Sequence, residues 1–216
     1  MTDANRKAHW ENVYTTKREN EVSWFQENPA PSLELIDLVC STPEPTIVDI
    51  GGGASRLVDS LVARRFSDVT VLDISEAALE AAKARLGARA GEVQWIVADV
   101  TKWRPAQTFD IWHDRAAFHF LTESADKAAY VSCLKAAVKP GGAVIIGTFA
   151  LDGPERCSGL LVSRYDPASL AAALGPGFAL IDTRRHEHAT PSGVTQKFQF
   201  STFRRERDAE LPGHIG

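Results

Sequence analysis

Cysteine is scarce in this chain. Cys40, Cys133 and Cys157 are the only three in 216 residues, widely spaced and without metal-ligand spacing, so neither a disulfide framework nor a zinc knuckle is expected. Long apolar runs are missing too: no stretch approaches the ~18 residues a membrane-spanning helix needs. The opening MTDANRKAHW has no apolar core of signal-peptide length, which makes a reducing cytoplasm the expected location. Basic excess is lacking, with Lys plus Arg at 24 against 28 for Asp plus Glu. Without a basic stripe, nucleic acid is not an expected partner, and nor is a membrane. Repeats and low-complexity segments are absent, and nothing in the composition fixes an oligomeric state.

What is present suits one globular domain with a substantial core, at 44% hydrophobic content. Its centre is Thr46 to Ser55, TIVDIGGGAS. Ile47, Val48 and Ile50 suit a strand buried on both faces, and Gly51 to Gly53 permit a tight turn and close backbone approach. Leu57, Val58, Leu61 and Val62 then recur at helical spacing. Asp49 interrupts the apolar strand, and a buried carboxylate needs a ligand or backbone donors to satisfy it. About twenty residues on, Val69 to Asp73 forms a second strand ending in an acid, the position from which a carboxylate accepts ribose hydroxyls. A dinucleotide site would need a third glycine where Arg56 stands.

The string DIGGGAS followed by VLDIS resembles class I S-adenosylmethionine-dependent methyltransferases, with Ser55 in place of their last motif glycine. The resemblance implies a doubly wound, Rossmann-like α/β fold: a seven-stranded, mostly parallel sheet with its last strand antiparallel and helices on both faces. It also implies S-adenosylmethionine as cofactor, with Gly51 and Gly53 along the methionyl part, Asp73 on the ribose, and Asp99 of the ADV string near the adenine amino group. Asp49, Ser55, Ile74, Val100 and His113 complete the expected cofactor set. A sulfonium is attracted to aromatic faces and must be screened from water. Trp10, Tyr14 and Trp24, in the first 45 residues, are therefore read as a helical arm or lid ahead of a domain at 46–205, with a tail at 206–216.

Strands are expected at Val93 to Val97, Phe109 to His113, Ala143 to Phe149, Phe178 to Arg184 and Gln196 to Arg204. Helices are expected from about Ser32 to Cys40, after Ser75, from Ser124 up to Lys139-Pro140-Gly141-Gly142, and over Pro167 to Leu174. The connection His186 to Thr195 is too short for a helical crossover, so the seventh strand must run antiparallel to the sixth. Within it, His186 and His188 are expected on opposite sides of the chain, which argues against a shared metal.

Ligands of open parallel sheets sit beyond the carboxyl ends of the strands. FDIWHDRAAFHFLTE therefore supplies the candidate catalytic residues His113, Asp114, Arg115 and His119, with Phe118 beside them. This string resembles those of thiopurine and thiol methyltransferases, and equally those of methyltransferase-like lysine methyltransferases. It lacks the Asn/Asp-Pro-Pro-aromatic turn of enzymes that methylate exocyclic base amines. Arg115 favours an anionic acceptor, so transfer to a small thiol or other chalcogen acceptor is the first expectation. A protein lysine acceptor, with acidic walls near Asp114, Glu123 and Glu155, and a noncatalytic cofactor sensor are the alternatives. Cys157, in the loop after the fifth strand, reads as a small buried hydrophobe.

Overall fold

The computed structural model describes residues 3–207, so most of the tail lies outside the described residues. The strands are β1 (Thr46–Ile50), β2 (Asp68–Asp73), β3 (Val93–Val97), β4 (Phe109–Arg115) and β5 (Val138–Phe149), a two-residue hairpin β6 (Arg156–Cys157) and β7 (Leu160–Leu161), then β8 (Phe178–Ala189) and β9 (Thr195–Arg205). The main sheet has seven strands in the order β3-β2-β1-β4-β5-β9-β8. β1 to β5 pair in parallel, whereas β9 runs antiparallel to both β5 and β8. This is the expected Rossmann-like sheet. The helices are α1 (Asp3–Thr16), α2 (Ala30–Val39), α3 (Leu57–Ala63), α4 (Glu76–Leu86), α5 (Ser124–Ala137) and α6 (Pro167–Leu174).

Alternation along each strand splits the core into two layers. Ile47, Ile111 and Ile145 pack with α2, α3 and α4, and Val48, Trp112 and Ile146 pack with α5 and α6. Residues at the strand ends inherit these faces. His113 therefore points toward α2, and its neighbour Asp114 toward α5.

Three boundaries differ from the sequence reading. α2 begins at Ala30, because Pro31 fits a first helical turn that has no use for its missing N–H. α5 ends at Ala137, so Lys139 to Gly142 already belong to β5, where the register against β4 shifts and Gly141 adopts φ +80°. β8 continues to Ala189 because β9 pairs with it along its length, down to Ala189 opposite Thr195. That puts His186 and His188 inside a strand and, being two residues apart, on one face, contrary to the expectation above. His188 Nε2 donates to the Ser23 carbonyl, 2.8 Å away, and Gln26 Nε2 lies 3.4 Å from His186 Nε2. Both histidines fasten the segment after α1.

α1 is held to the sheet by a carboxylate. Glu11 accepts from Ser75 Oγ at 2.8 Å and from the Ala77 N–H at 3.1 Å, placing negative charge at the N-terminus of α4. Ser75, the expected N-cap, accepts from Ala78 N–H at 3.2 Å. Glu11→Ala is expected to weaken this docking by ~1 kcal/mol, the worth of a helix cap, and to raise hydrogen exchange across residues 5–16 without unfolding the sheet. Unchanged protection there would mean that the aromatic contacts alone hold the arm. Among the described residues, no helix is long and apolar enough to cross a membrane.

Candidate active site

A cleft of about 740 Å³ opens over the carboxyl ends of β1, β2 and β4, with α1 and Trp24 across it. Its floor is the glycine turn. Gly51, at φ +65°, leaves β1, and a Cβ there would stand 2.8 Å from Ala117 Cβ. Gly53, at φ +45°, would bring a Cβ within 2.8 Å of Asp73 Oδ2 and 3.0 Å of Tyr14 Oη. Any side chain would therefore fill the cradle between the turn, the second acid and the arm.

Asp73 ends β2 and is 5% exposed. Its Oδ1 accepts from Ser75 N–H at 2.8 Å. Burial pushes its pKa up to about 7 against the pull of backbone donors, and the Asp49 charge adds to the rise. No cation pairs with it among the described residues. Asp99 follows β3, its Oδ1 taking the Thr101 N–H at 2.9 Å and hydroxyl at 2.7 Å, while Oδ2 lies 3.4 Å from Arg6 Nε. Ile74 and Val100 line the cleft beside these acids.

Aromatic rings close the arm side. Trp10 meets Phe120 edge-on at 4.8 Å and Trp24 at 5.6 Å, and Trp24 Nε1 lies 3.3 Å from Tyr14 Oη. At the far end Arg115 lies over the Phe198 ring, and its Nη2 donates to the Trp24 carbonyl at 2.8 Å. Its Nη1 is buried with no hydrogen-bond partner. No carboxylate pairs with this guanidinium among the described residues, and burial lowers its pKa.

Residues 47–142 match a methyltransferase domain family. The fold is shared with 1,6-didemethyltoxoflavin-N1-methyltransferase from Burkholderia thailandensis, crystallised with 1,6-didemethyltoxoflavin and S-adenosylhomocysteine: TM-score 0.73, 19% identity, over 95% of this chain and 91% of that one. It is shared too with N-methyltransferase NodS from Bradyrhizobium japonicum in complex with S-adenosylhomocysteine: TM-score 0.68, 16% identity, over 90% and 97%. A third structure, from work on the conversion of a disulfide bond into a thioacetal in echinomycin biosynthesis, superposes with TM-score 0.74 at 16% identity, over 94% of each chain. No curated protein matches the chain. Residues 47–142 thus carry a methyltransferase domain.

The cleft fits S-adenosylmethionine. Asp73 is a buried, cation-free carboxylate suited to hydroxyl donors, the bare glycines leave room against the turn, and the rings suit a sulfonium. Of the expected cofactor residues, the fold brings Trp10, Tyr14, Trp24, Gly51, Asp73, Ile74, Asp99 and Val100 to the cleft wall, with Gly53 against Asp73 and Tyr14.

Asp49, Ser55 and His113 stand elsewhere. Ser55 Oγ takes the Leu57 N–H at the start of α3. Asp49 is paired with a side chain. His113 Nδ1 donates to its Oδ1 at 2.7 Å, and His113 Nε2 takes the Ser32 hydroxyl of α2 at 2.8 Å. All three residues are buried, so this chain of bonds braces the turn from below.

Of the four candidate catalytic residues, only Arg115 reaches the cleft. Asp114, on the opposite face of β4, accepts from Ala117 N–H at 2.9 Å, Phe118 N–H at 3.1 Å and Tyr130 Oη at 2.6 Å. It caps the short turn at Phe118–Phe120 and anchors α5. His119 packs on Phe149, whose N–H approaches its Nδ1 at 3.4 Å, and burial with the Arg115 charge pushes its pKa down to about 3. Such an imidazole stays neutral.

Sequence reasoning passed over Arg6, Phe120 and the Ala116-Ala117 pair, and took Cys157 for a packed hydrophobe although it also lines the cleft. Arg6 lacks any sequence signal. The small residues after Arg115 were a legible one, since only short side chains leave space above a strand end.

Proposed function

We propose that this methyltransferase transfers a methyl group to a small-molecule soft nucleophile, foremost a thiol or other chalcogen. One observation carries the reading: Arg115, half-buried and with its Nη1 fully buried and unpartnered, stands at the far end of the cleft, and among the described residues no carboxylate pairs with it. A guanidinium there stabilises an anionic nucleophile and repels an ammonium. A free thiol, with pKa about 8.5, reaches its anion at neutral pH far more readily than an amine near 10.4 becomes neutral.

S-adenosylmethionine supplies an electrophilic methyl on a sulfonium. The thiol loses its proton to solvent, its sulfur takes the methyl carbon, and a thioether leaves beside S-adenosylhomocysteine. Asp73, Asp99 and the glycine turn hold the cofactor, Arg115 orients the nucleophile, and Trp10, Tyr14 and Trp24 act as a lid that excludes water. No general base is assigned, and neutral, buried His119 is not one. Asp114 is turned toward α5, so of the acidic wall a lysine substrate would want, only Glu123 and Glu155 remain. The relatives in this fold include N-methyltransferases, so the acceptor atom is argued from Arg115 and not from the fold.

The test is S-adenosylhomocysteine release from purified protein, with sulfide or small thiols in one arm and the protein fraction of a lysate in the other. Release with thiols, lowered ~10–100-fold in kcat/KM by Arg115→Met as a charge-assisted hydrogen bond is lost, is the expected result. Release only with the protein fraction would install the lysine reading. Cofactor binding with no turnover in either arm would favour a sensor.

A further inference from the structure

Three cavities stand in a row from the cleft to the outer edge of the sheet. The cleft shares Tyr14, Trp24 and Arg115 with a small middle cavity of about 20 Å³, room for about one water. That cavity shares Phe25 and Gln26 with an outer, open one lined also by Asn20, Asn28 and His186. What parts them is a single layer of chain, Ser23 to Gln26. Its residues are not held alike: Trp24 is held by Arg115, Tyr14 and Trp10, Phe25 by Arg56 over its ring, Ser23 by its carbonyl on His188, and Gln26 by a 3.4 Å approach to His186. The last is the weakest, being long for a hydrogen bond and leaving Gln26 Oε1 buried without a partner.

We infer that this seam between the Ser23–Gln26 segment and the inner face of β8 is the acceptor's way to Arg115, that the Gln26–His186 contact is the point that opens, and that the outer cavity holds the acceptor's tail. The inference deepens the proposed function and rests on its placement of the nucleophile at Arg115. The outer cavity selects by chemistry. Asn20, Gln26 and Asn28 offer amides, His186 an imidazole whose pKa burial and Arg115 lower, and Phe25 a ring, while Glu27 and Glu187 stand at the same cavity. An uncharged tail with hydrogen-bonding groups fits this lining, and a second negative charge does not. The acceptor so described is a small thiol whose sulfur sits at Arg115 and whose neutral polar tail reaches outward past Gln26.

A readout independent of turnover is available, because Cys157 lies on the cleft wall near Arg115 while Cys133 is buried in the opposite layer. With S-adenosylhomocysteine bound, iodoacetamide must use the seam to reach Cys157, and Cys133 reports general opening of the fold. The ratio of Cys157 to Cys133 modification, read by mass spectrometry, should rise several-fold in Gln26→Ala and in His186→Ala and fall in Gln26→Trp. A ratio that stays the same in all three overturns the route, since Cys157 would then be reached by another path. In parallel, Gln26→Trp should raise KM for thiols with long neutral tails but not for sulfide, with S-adenosylhomocysteine affinity unchanged. An equal effect on sulfide and long thiols argues against the tail site. Should the wild-type protein turn over no thiol at all, the proposed acceptor fails, while the labelling ratio still decides whether the seam is a route.

Discussion

Asp73→Asn is expected to weaken S-adenosylhomocysteine binding at least ~100-fold while making the cofactor-free protein more stable above pH 7. If Asp73 takes two ribose hydroxyls as proposed, exchanging its carboxylate for a neutral amide removes ~3 kcal/mol of charge-assisted hydrogen bonding. The gain in stability comes from the same burial. Asp73 has its pKa raised to about 7 in the fold, chiefly by desolvation, against ~3.9 in an unfolded chain. A raised folded pKa means that the native state binds the proton more tightly. The wild-type fold is therefore penalised in full above pH 7, progressively less as pH falls from 7 toward 4, and not at all below that. The Asn variant carries no such penalty, so the difference in melting temperature should be largest at pH 8 and vanish near pH 4. Wild-type affinity for S-adenosylhomocysteine should likewise decline below about pH 7, as protonation competes with the hydroxyl donors. Calorimetry from about pH 4 to pH 8, a range that spans the titration from the unfolded to the folded pKa, checks both. Undiminished affinity in Asp73→Asn would remove Asp73 from the cofactor site.

Asp114→Ala should cost stability and leave chemistry alone. The carboxylate accepts from Phe118 N–H and Tyr130 Oη, both buried, and from the half-buried Ala117 N–H, and truncation strands those donors. At ~1–3 kcal/mol for each buried donor left unsatisfied, partly relieved by relaxation, the loss is about 3–5 kcal/mol, or roughly 10 °C in melting temperature for a chain of this size. Asp114→Asn, which keeps an acceptor for Tyr130, should fall in between. Cofactor affinity and turnover of the protein that remains folded should lie within a few-fold of wild type. A normally stable Asp114→Ala with abolished turnover would return Asp114 to the chemistry and contradict its placement toward α5.

The Asp-Arg pair at the end of β4 shows why the sequence alone misassigned half of this string. Asp114 and Arg115 are neighbours, both polar at the carboxyl edge, and nothing in their identities distinguishes structural from chemical duty. Strand geometry does. Adjacent residues face opposite layers, so Arg115 joins the cleft and Asp114 the α5 layer. The same rule, applied to β8, places His186 and His188 together, because residues two apart in a strand share a face and do not take opposite ones.

The sequence by itself determined the strand, glycine turn and helix at residues 46–63, the acid that closes β2, the antiparallel final strand and the aromatic arm. These depend on local physics: β-branched runs, positive φ at glycine, helical spacing and a connection too short to cross over. The tertiary structure decided what lay beyond local reach. It paired His113 with Asp49 and Ser32 across 64 and 81 residues of chain, brought Arg6 to Asp99, and set Glu11 on the N-terminus of α4. It also left Arg115 half-buried with no carboxylate against it among the described residues. Partnerships between residues so far apart are set by which strands lie side by side and which faces they share, and no window of sequence contains that.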